Sequence, residues 1–262
     1  MAHLYADPLV YDVLHAPGTR EEAALVLKLM KRHAPRAEQL LEPACGSGRL
    51  LIEIARRGVR ACGFDLNPAM VRYCNARAER LGVAESVLAF AARMESFEAP
   101  RGWKSFDGAF NLINTIRHVG GDRAMLAHLG AVSRVLAPGG VYIVGLSHSA
   151  YGLEQESEDV WVGSRDGLRV KQVVQFIPPT ARRGPWARRE RAVSHLTITP
   201  RKGEPEDRTS SYWLRTYSSA QWAGLIRRAG WEIAAVADGA GKPVAPHEPG
   251  YFVYVMRPRT RA

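Results

Sequence analysis

A turn that contains two glycines has the composition of a ligand-binding loop. Gly46 and Gly48 occur in Cys45-Gly-Ser-Gly-Arg-Leu-Leu51, between two apolar runs. Where a strand passes into a helix, glycines in the turn let the backbone come close to a polar or anionic ligand at the helix N-terminus. Asp65 follows about twenty residues later, which is the usual position of an acid that binds a pair of ribose hydroxyls. The spacing therefore predicts a nucleoside site.

The same turn lacks the spacing of a dinucleotide site. Such sites carry G-x-G-x-x-G, because the third glycine allows the helix to pack closely on the strand. Leu51 occupies the place of that third glycine. The pattern leaves little room for a pyrophosphate and disfavours hydride-transfer chemistry.

Alternating strands and helices are predicted to position these residues. Apolar runs and helical periodicity predict strands over 39–44, 59–65, 87–92, 106–113 and 141–146, and helices over 20–33, 49–57, 68–81 and 122–136. Thr19-Arg-Glu-Glu22 has the form of a capping box, and Asn67-Pro68 has the form of a helix start. The alternation predicts a parallel sheet that is covered by helices on both faces.

The pattern changes after Ser147. Strands are predicted over 168–177, 192–200 and 210–216, with a polar, proline-containing stretch at 178–191 between the first two. A helix over 218–229 and strands over 231–237 and 251–256 then resume the alternation. We expect one domain in three parts, with a cofactor-binding core over 1–146, a β-rich lid over 147–216 and the end of the core over 217–262.

The composition is that of an ordinary globular protein. Of 262 residues, 46% are hydrophobic and 24% are charged, which suffices for one domain with a full core. Three cysteines form no C-x-x-C pair or His/Cys cluster, so we expect no metal site and a reducing cytoplasm. The sequence lacks a signal-peptide pattern and a run of roughly 18 apolar residues, so we expect neither secretion nor membrane insertion. The formal net charge of +10 favours anionic partners.

Three motifs resemble those of the class I S-adenosylmethionine-dependent methyltransferases. Glu42-Pro-Ala-Cys-Gly-Ser-Gly48 resembles the first motif of that family, Gly63-Phe-Asp-Leu-Asn-Pro-Ala-Met70 the second, and Leu136-Ala-Pro-Gly-Gly140 the turn before the fifth strand. The resemblance implies a Rossmann-like α/β fold with a mostly parallel seven-stranded sheet, helices on both faces and a β-rich lid after the fifth strand. It also implies that S-adenosylmethionine is the methyl donor and S-adenosylhomocysteine the product.

The resemblance assigns the methionine and ribose parts of the cofactor to the first two motifs. It places Glu42, Cys45, Gly46 and Gly48 around the methionine part, and Asp65 at the ribose. The residue types fit these roles, because a carboxylate such as that of Glu42 attracts the cofactor ammonium and backbone N–H groups in the turn suit its carboxylate.

The resemblance also indicates the adenine contacts. Leu66 and Met94 would flank the ring. The family often has an acid before the second of these positions, which accepts a hydrogen bond from the adenine amino group, but this chain has Arg93 there. Glu95 or a backbone carbonyl would take its place. Asn111, at the end of the fourth strand, completes the predicted set of cofactor-binding residues.

Methyl transfer from a sulfonium is an in-line displacement, so catalysis comes mostly from alignment of the reacting groups. An amine or hydroxyl acceptor must also lose a proton, which makes a nearby histidine useful. His118 is the predicted base, and Asn114 and Arg117 are predicted to orient the acceptor. Tyr11 and Tyr217 are predicted to close over the site. The predicted acceptor is a small molecule, which fits the small-molecule branch of the family.

Structural roles remain open for several of these residues. His118 could be only a hydrogen-bonded loop residue, Arg117 a surface charge, and Tyr5 and Tyr11 packing residues of the N-terminal segment. His148, after the fifth strand, could face the pocket. A nucleophilic role for Cys45 is disfavoured, since no base stands at a fixed spacing from it.

Two other functions remain as alternatives. The basic stretch 181–191, followed by Arg201 and Lys202, mixes arginines with a tryptophan and could bind the phosphates and bases of RNA. It could instead be a solvated hairpin end, or receive an anionic small acceptor or a partner subunit. The fold could also bind the cofactor without transferring its methyl group. The sequence carries no signal for an oligomeric state.

Overall fold

The computed structural model describes residues 3–103, 105–179 and 186–259. The helices are α1 (His3–Ala6), α2 (Pro8–His15), α3 (Thr19–His33), α4 (Arg49–Ala55), α5 (Pro68–Arg80), α6 (Asp122–Val135) and α7 (Ser219–Arg228). The strands are β1 (Gln39–Pro43), β2 (Arg60–Asp65), β3 (Val87–Ala91), β4 (Phe106–Asn111), β5 (Leu136–His148), β6 (Ser157–Arg165), β7 (Leu168–Ile177), β8 (Arg189–Thr199), β9 (Glu206–Arg215), β10 (Trp231–Ala237) and β11 (Gly250–Pro258). None of the described helices combines the length and the apolar composition needed to cross a membrane.

Two sheets carry all of these strands. The larger one has seven strands in the order β10-β11-β5-β4-β1-β2-β3. Its central pairings are parallel, and β11 is antiparallel to both of its neighbours. The smaller sheet is a four-stranded antiparallel meander, β6-β7-β8-β9, inserted after β5. The predicted α/β fold, with its mostly parallel seven-stranded sheet and β-rich insertion, is confirmed.

The large sheet is buried on both faces because its side chains alternate between two apolar layers. Along β5, Tyr142 and Val144 pack with α6 and α7, whereas Ile143 packs with α3 and α4 on the opposite face. Trp222 of α7 and Trp231 of β10 are among the largest fully buried side chains. These two layers hold the sheet rigid and fix the positions of the strand ends.

A third apolar cluster joins the N-terminal helices to the smaller sheet. Leu4, Val10, Val13 and Leu14 are buried against Val170, Leu196 and Ile198. The N-terminal segment therefore belongs structurally to the lid as well as to the core. The division of the chain into three parts at residues 146 and 216 stays a prediction.

Of the two predicted helix N-caps, the one at Asn67 is confirmed and the one at Thr19 is wrong. Asn67 caps α5 as predicted, since its Oδ1 accepts a hydrogen bond from the Ala69 N–H at 2.9 Å and Pro68 starts the helix. The predicted capping box at Thr19 is wrong, because Gly18 is the N-cap of α3 and provides no side-chain bond. The Thr19 hydroxyl instead donates to the His15 carbonyl at 3.3 Å.

The structure differs from the sequence prediction in the insertion, at the N-terminus and at the end of β4. The insertion has a fourth strand, β6, whose short polar segments did not show a clear alternation. The N-terminal residues form α1 and α2, for which no helix was predicted. The strand predicted over 106–113 ends at Asn111, because Ile113 and Asn114 adopt left-handed φ values of 45° and 65°. This early end turns the following residues across the sheet edge.

Candidate active site

A cavity of about 770 Å³ lies at the carboxyl ends of the parallel strands, beneath the smaller sheet. Ligands of open parallel sheets bind at this edge, because the strand-to-helix turns leave a crevice there. One wall consists of residues from the core, among them Ala44, Gly46, Asp65, Asn114 and Ser147. The other wall consists of residues from the N-terminal helices and the lid, among them Tyr5, Tyr11, Trp161, Gln172, Glu190 and Tyr212.

The glycine turn and Asp65 meet at the core wall, as their spacing predicts. The Gly46 N–H donates to Asp65 Oδ2 at 2.9 Å, and the Asn67 N–H donates to Oδ1 at 2.8 Å. Burial raises the pKa of this carboxyl, and the two N–H groups oppose the shift. Each carboxylate oxygen has a further lone pair for an additional donor. The arrangement fixes an acceptor that fits ribose hydroxyls.

The turn leaves no room for larger residues. Gly46 has a φ of 56°, and a Cβ there would lie 3.0 Å from the Tyr11 ring. Gly48 has a φ of 70°, and a Cβ there would lie 2.1 Å from Cys74 Sγ. Because Gly46 has no side chain, its backbone is accessible at the cavity wall.

Glu42 is a buried carboxylate with an unused acceptor. Its Oε2 has no hydrogen-bond partner among the described residues. Burial raises its pKa well above the usual range, and the Arg49 guanidinium opposes this. Arg49 itself is held by Glu22 through two hydrogen bonds of 2.9 and 2.6 Å. A ligand ammonium would supply the missing donor to Glu42. Neither Glu42 nor Gly48 lines the cavity, however, so their place at the methionine part of the cofactor stays a prediction.

Cys45 is packed beneath this turn and does not line the cavity. A hydrogen bond to Cys74 and burial raise the pKa of its thiol well above the usual value. A Cβ on Gly63 would lie 2.7 Å from Cys45 Cβ, which shows how closely the thiol residue fits. These contacts give it a packing role.

The predicted adenine contacts are only partly at the cavity. Leu66 lines it and is 59% exposed. Met94 lies instead against the apolar layer of α6, and its carbonyl bonds to His128 Nδ1 at 2.9 Å. Glu95 is 3.7 Å from Arg93 and is not part of the cavity lining. The cofactor role of Met94 and Glu95 stays a prediction that this geometry does not favour.

Asn111 is also placed away from the cavity. Its amide nitrogen donates to the Pro43 carbonyl at 2.5 Å, and its amide oxygen accepts a hydrogen bond from the Tyr142 hydroxyl. Both ends of the amide therefore serve to join β4 to β1 and β5. A direct cofactor contact from Asn111 would require these bonds to be broken.

His118 faces the cavity in the short turn Thr115–His118. Its Nε2 lies 3.2 Å from the Tyr5 hydroxyl, and its ring contacts Tyr212 at a centroid distance of 5.6 Å. Removal from bulk water, together with the Arg117 charge, lowers its pKa to about 4. The imidazole is therefore neutral near pH 7 and able to accept a proton or a hydrogen bond.

Arg117 is not a surface charge, since it is only 5% exposed. Its Nη2 donates to Glu190 at 2.7 Å, and its Nε donates to the Arg215 carbonyl at 2.9 Å. Asn114 is engaged as well, because its amide bonds to Ser147 through both ends at 2.9 and 2.7 Å. These two residues line the cavity but mainly hold the walls together.

Of the remaining predicted residues, Tyr11 and His148 line the cavity and Tyr217 does not. Tyr11 lines the cavity over Gly46, as expected of a residue that closes the site. Tyr217 does not, because it is fully buried against Trp222. His148 lines the cavity, and burial lowers its pKa.

Sequence reasoning missed the contribution of the lid to the cavity. Gln172, Val174 and Phe176 alternate along β7 and all line the cavity. Tyr212 and Leu214 do the same on β9. Alternate residues of a strand share one face, so this two-residue period in the sequence could have indicated which lid residues line the cavity. Tyr5 was weighed only as a packing residue, although it reaches His118.

The basic stretch is partly paired where the structure describes it, while Arg191, Arg201 and Lys202 are exposed. Residues 181–185 of that stretch lie outside the described residues. Arg188 pairs with Asp122 at 3.0 Å, and Arg189 lies over the Trp186 ring at 5.7 Å. Among the described residues no group of three or more His, Cys, Asp or Glu side chains is arranged to hold a metal ion.

The chain is similar in sequence to known methyltransferases. Residues 40–140 match the family described as a methyltransferase domain. Over 234 residues the chain is 23% identical to dTDP-3-amino-3,4,6-trideoxy-alpha-D-glucopyranose N,N-dimethyltransferase of Streptomyces venezuelae, covering 88% of each protein.

Solved structures share the fold. One is an S-adenosylmethionine-dependent methyltransferase from Clostridium acetobutylicum, with a TM-score of 0.73, 16% identity and coverage of 95% of this chain and 96% of that one. Another is S-adenosylmethionine-bound CalS10, an amino pentose methyltransferase from Micromonospora echinaspora, with a TM-score of 0.66, 23% identity and coverage of 90% and 91%. The Rossmann-like architecture predicted from the three motifs is thereby confirmed.

Proposed function

We propose that this chain is a class I S-adenosylmethionine-dependent methyltransferase and that it methylates the amine of a small molecule. The names of two similar proteins support an amine, since one acts on an amino-sugar nucleotide and the other is an amino pentose methyltransferase. The observation that carries the proposal is the neutral His118, bonded to Tyr5 and facing the cavity.

The core wall is proposed to hold the cofactor. Asp65 would bind the ribose hydroxyls, the Gly46 backbone would lie along the methionine part, and Glu42 would accept from the ammonium. When bound there, S-adenosylmethionine supplies an electrophilic methyl group on a sulfonium. Tyr11 would cover this half of the cavity, because its ring already lies against Gly46.

The chain would then act on the acceptor by desolvation and orientation. Closure between the lid and the core excludes water, and this lowers the pKa of the acceptor ammonium toward the neutral form that attacks. The neutral His118 imidazole would accept the remaining N–H of the amine, which directs the nitrogen lone pair away from the histidine. Tyr5 would hold the imidazole ring in place through the 3.2 Å contact at Nε2.

An RNA acceptor would meet fewer free guanidiniums on the lid than the sequence suggests, although Arg191, Arg201 and Lys202 are exposed. Asp122 lies 3.0 Å from both Arg188 and Arg215, so these two guanidiniums are paired rather than free for phosphates. RNA binding would also weaken steeply with salt, whereas turnover of a small acceptor with few phosphate contacts would not.

The test is the chemical identity of the product. Purified protein would be incubated with S-adenosylmethionine and either an amino sugar or the analogue in which a hydroxyl replaces the amine. We expect S-adenosylhomocysteine and an N-methylated sugar from the amine only, identified by mass spectrometry and NMR. Methylation on oxygen with the amine untouched would overturn the proposal, and cofactor binding without any transfer would favour the non-catalytic alternative.

A further inference from the structure

The cavity carries a charge opposite to that of the whole chain. The chain has a formal net charge of +10. The described residues that line the cavity nevertheless include four carboxylates, those of Asp65, Glu154, Asp159 and Glu190, against one guanidinium, that of Arg117. The excess of acids is therefore a local property of the site, since composition alone would give the reverse.

The histidines in the lining do not offset this excess. Removal from water lowers the pKa of His15 to about 3 and that of His118 to about 4, and it lowers the pKa of His148 as well. All three rings are neutral near pH 7. The lining described here consequently keeps a negative charge under ordinary conditions.

The acceptor half of the cavity has no cation to spare for an anionic group. Arg117 is already held by Glu190 at 2.7 Å and by the Arg215 carbonyl at 2.9 Å. An acceptor with a phosphate would have to compete with Glu190 for this guanidinium. It would also leave the Glu190 carboxylate buried without its partner, which is costly.

Two acids of the lid, Glu154 and Asp159, line the cavity without an ion-pair partner among the described residues. Burial raises the pKa of Glu154, its hydrogen bond with Ser149 opposes this, and the Glu190 charge adds to the rise. The two carboxylates therefore gain from a cationic ligand that enters between them and the core.

Strand alternation places Asp159 on the cavity side of β6, where its side chain is exposed to solvent. Ser157, Asp159 and Trp161 alternate along β6 and all line the cavity, whereas Glu158 between them does not. Asp159 pairs in register with Val174 of β7, and Trp161 with Gln172, so acid, amide and aromatic groups lie side by side. Such a surface suits a polyhydroxylated amine, because carboxylates bind its ammonium and hydroxyls while the aromatic ring covers its apolar face.

We propose that the acceptor is an amine without an anionic group, such as an amino sugar without a nucleoside diphosphate. It enters as the ammonium, Asp159 and Glu154 at the cavity mouth select for that charge, and the ammonium releases its proton to solvent before the neutral nitrogen attacks. This inference rests on the proposed amine methylation and narrows its substrate class. It separates this chain from the relative named for a dTDP-linked amino sugar, because that acceptor carries an anionic diphosphate.

The experiment compares two forms of one acceptor. The probes are methyl 3-amino-3-deoxyglucoside, which is cationic, and the dTDP-linked form of the same amino sugar. Binding of each to the protein–S-adenosylhomocysteine complex is measured by calorimetry, and methyl transfer to each is measured as kcat/KM. We expect the free amino sugar to bind more tightly and to have the higher kcat/KM. Binding of neither form, or a preference for the dTDP-linked form, overturns the inference.

Variants test the two acids directly. Asp159→Asn and Glu154→Gln should each raise the KM of the free amino sugar by about three- to tenfold and leave kcat within about twofold, since they remove attraction without touching the reacting atoms. Asp159→Lys should shift the preference toward the dTDP-linked form. Glu158→Gln, on the other face of the same strand, is the matched control and should leave both probes unchanged. Equal effects of Asp159→Asn and Glu158→Gln would contradict the assignment.

The outcomes for this inference and for the proposed function are separate. N-methylation that favours the dTDP-linked probe would overturn the charge selection and leave amine methylation intact. Tight binding of the free amino sugar with transfer only to its hydroxyls would overturn amine methylation and leave the charge selection intact.

Discussion

Asp12 of α2 and Arg165 of β6 form an ion pair of 2.5 Å that joins the N-terminal helix to the lid. Asp12 is fully buried and also accepts from Ser47 at 2.8 Å, Tyr73 at 3.0 Å and Arg77 at 2.7 Å. Since Ser47 stands between the two glycines of the cofactor turn, one carboxylate connects the lid, α5 and the cofactor site.

Replacing Asp12 should therefore loosen the lid and the turn together. Asp12→Ala leaves two guanidiniums and two hydroxyls without their acceptor, and we expect a loss of about 3 kcal/mol in the free energy of unfolding. Chemical denaturation measures this loss. Asp166→Asn, one residue beyond Arg165 and exposed, is the control and should change stability by less than about 0.5 kcal/mol. A stable Asp12→Ala protein would show that the connection is unimportant.

Asp65→Ala should weaken cofactor binding. Loss of its charged hydrogen bonds to the ribose should cost about 1 to 3 kcal/mol of binding free energy. Some folding stability should be lost as well, because the N–H groups of Gly46 and Asn67 lose their acceptor. Calorimetry with S-adenosylhomocysteine measures the binding. Glu85→Gln, an exposed change on the same half of the chain, should leave the affinity unchanged, and unchanged affinity in Asp65→Ala would count against the ribose role.

His118→Ala should slow turnover and spare cofactor binding. The variant lacks the imidazole that accepts a hydrogen bond from the amine N–H and orients its lone pair, so kcat should fall by about a hundredfold, while the affinity for S-adenosylhomocysteine stays within about twofold. Because the pKa of His118 is about 4, its protonation should produce no change in wild-type kcat between pH 6 and 8. His195→Ala, on the exposed face of the lid, is the control. An undiminished rate in His118→Ala would remove it from the role of base.

Gly48→Ala should be much more harmful than the same change at Gly58. Both glycines have left-handed φ values, 70° and 84°, but a Cβ meets Cys74 Sγ at 2.1 Å only at Gly48, and at Gly58 it meets nothing within 4 Å. We expect losses of about 1 kcal/mol at Gly58 and at least about 3 kcal/mol at Gly48. Adding Cys74→Ala to Gly48→Ala should recover part of the loss in a double-mutant cycle. Equal costs at the two glycines would contradict the steric explanation.

Sequence alone was enough to predict that Gly46 and Asp65 meet at one edge of the sheet. The proximity of Gly46 and Asp65 follows from the parallel sheet, because the carboxyl ends of adjacent strands meet at one edge. The bond of 2.9 Å between them is the direct expression of that geometry. Predictions based on strand order and motif spacing succeed here, since both residues are fixed by their own strands.

The lid wall could not be predicted in the same way. Tyr5 and His118 are 113 residues apart and meet only because α1 packs on the smaller sheet. Arg117 and Glu190 are paired across elements that share no sequence pattern. Met94 and Asn111 lie away from the cavity for the opposite reason, because their polar groups are used by His128, Pro43 and Tyr142 inside the core. Hydrogen-bond partners of this kind depend on the tertiary structure.

The buried His15 should make the protein less stable in acid. Its pKa is about 3 in the folded chain, against about 6.5 when unfolded. Because the folded pKa is the lower one, the unfolded state takes up the proton first, and the stability present above pH 6.5 is lost as the pH falls toward 3. The ring faces Tyr11, Trp161 and the Arg49 charge, and its Nδ1 has no partner among the described residues.

His15→Gln removes this titration and isolates its effect. Between pH 7 and pH 4.5 the variant should lose about 2 to 3 kcal/mol less unfolding free energy than the wild type. His118 and His128, with pKa values of about 4, contribute in the same direction but are present in both proteins, as are Glu42 and Asp65, whose raised pKa values act in the opposite direction. Urea denaturation at the two pH values measures the difference. His195→Gln, at an exposed position, should follow the wild-type profile, and a parallel profile for His15→Gln would show that its protonation is not coupled to unfolding.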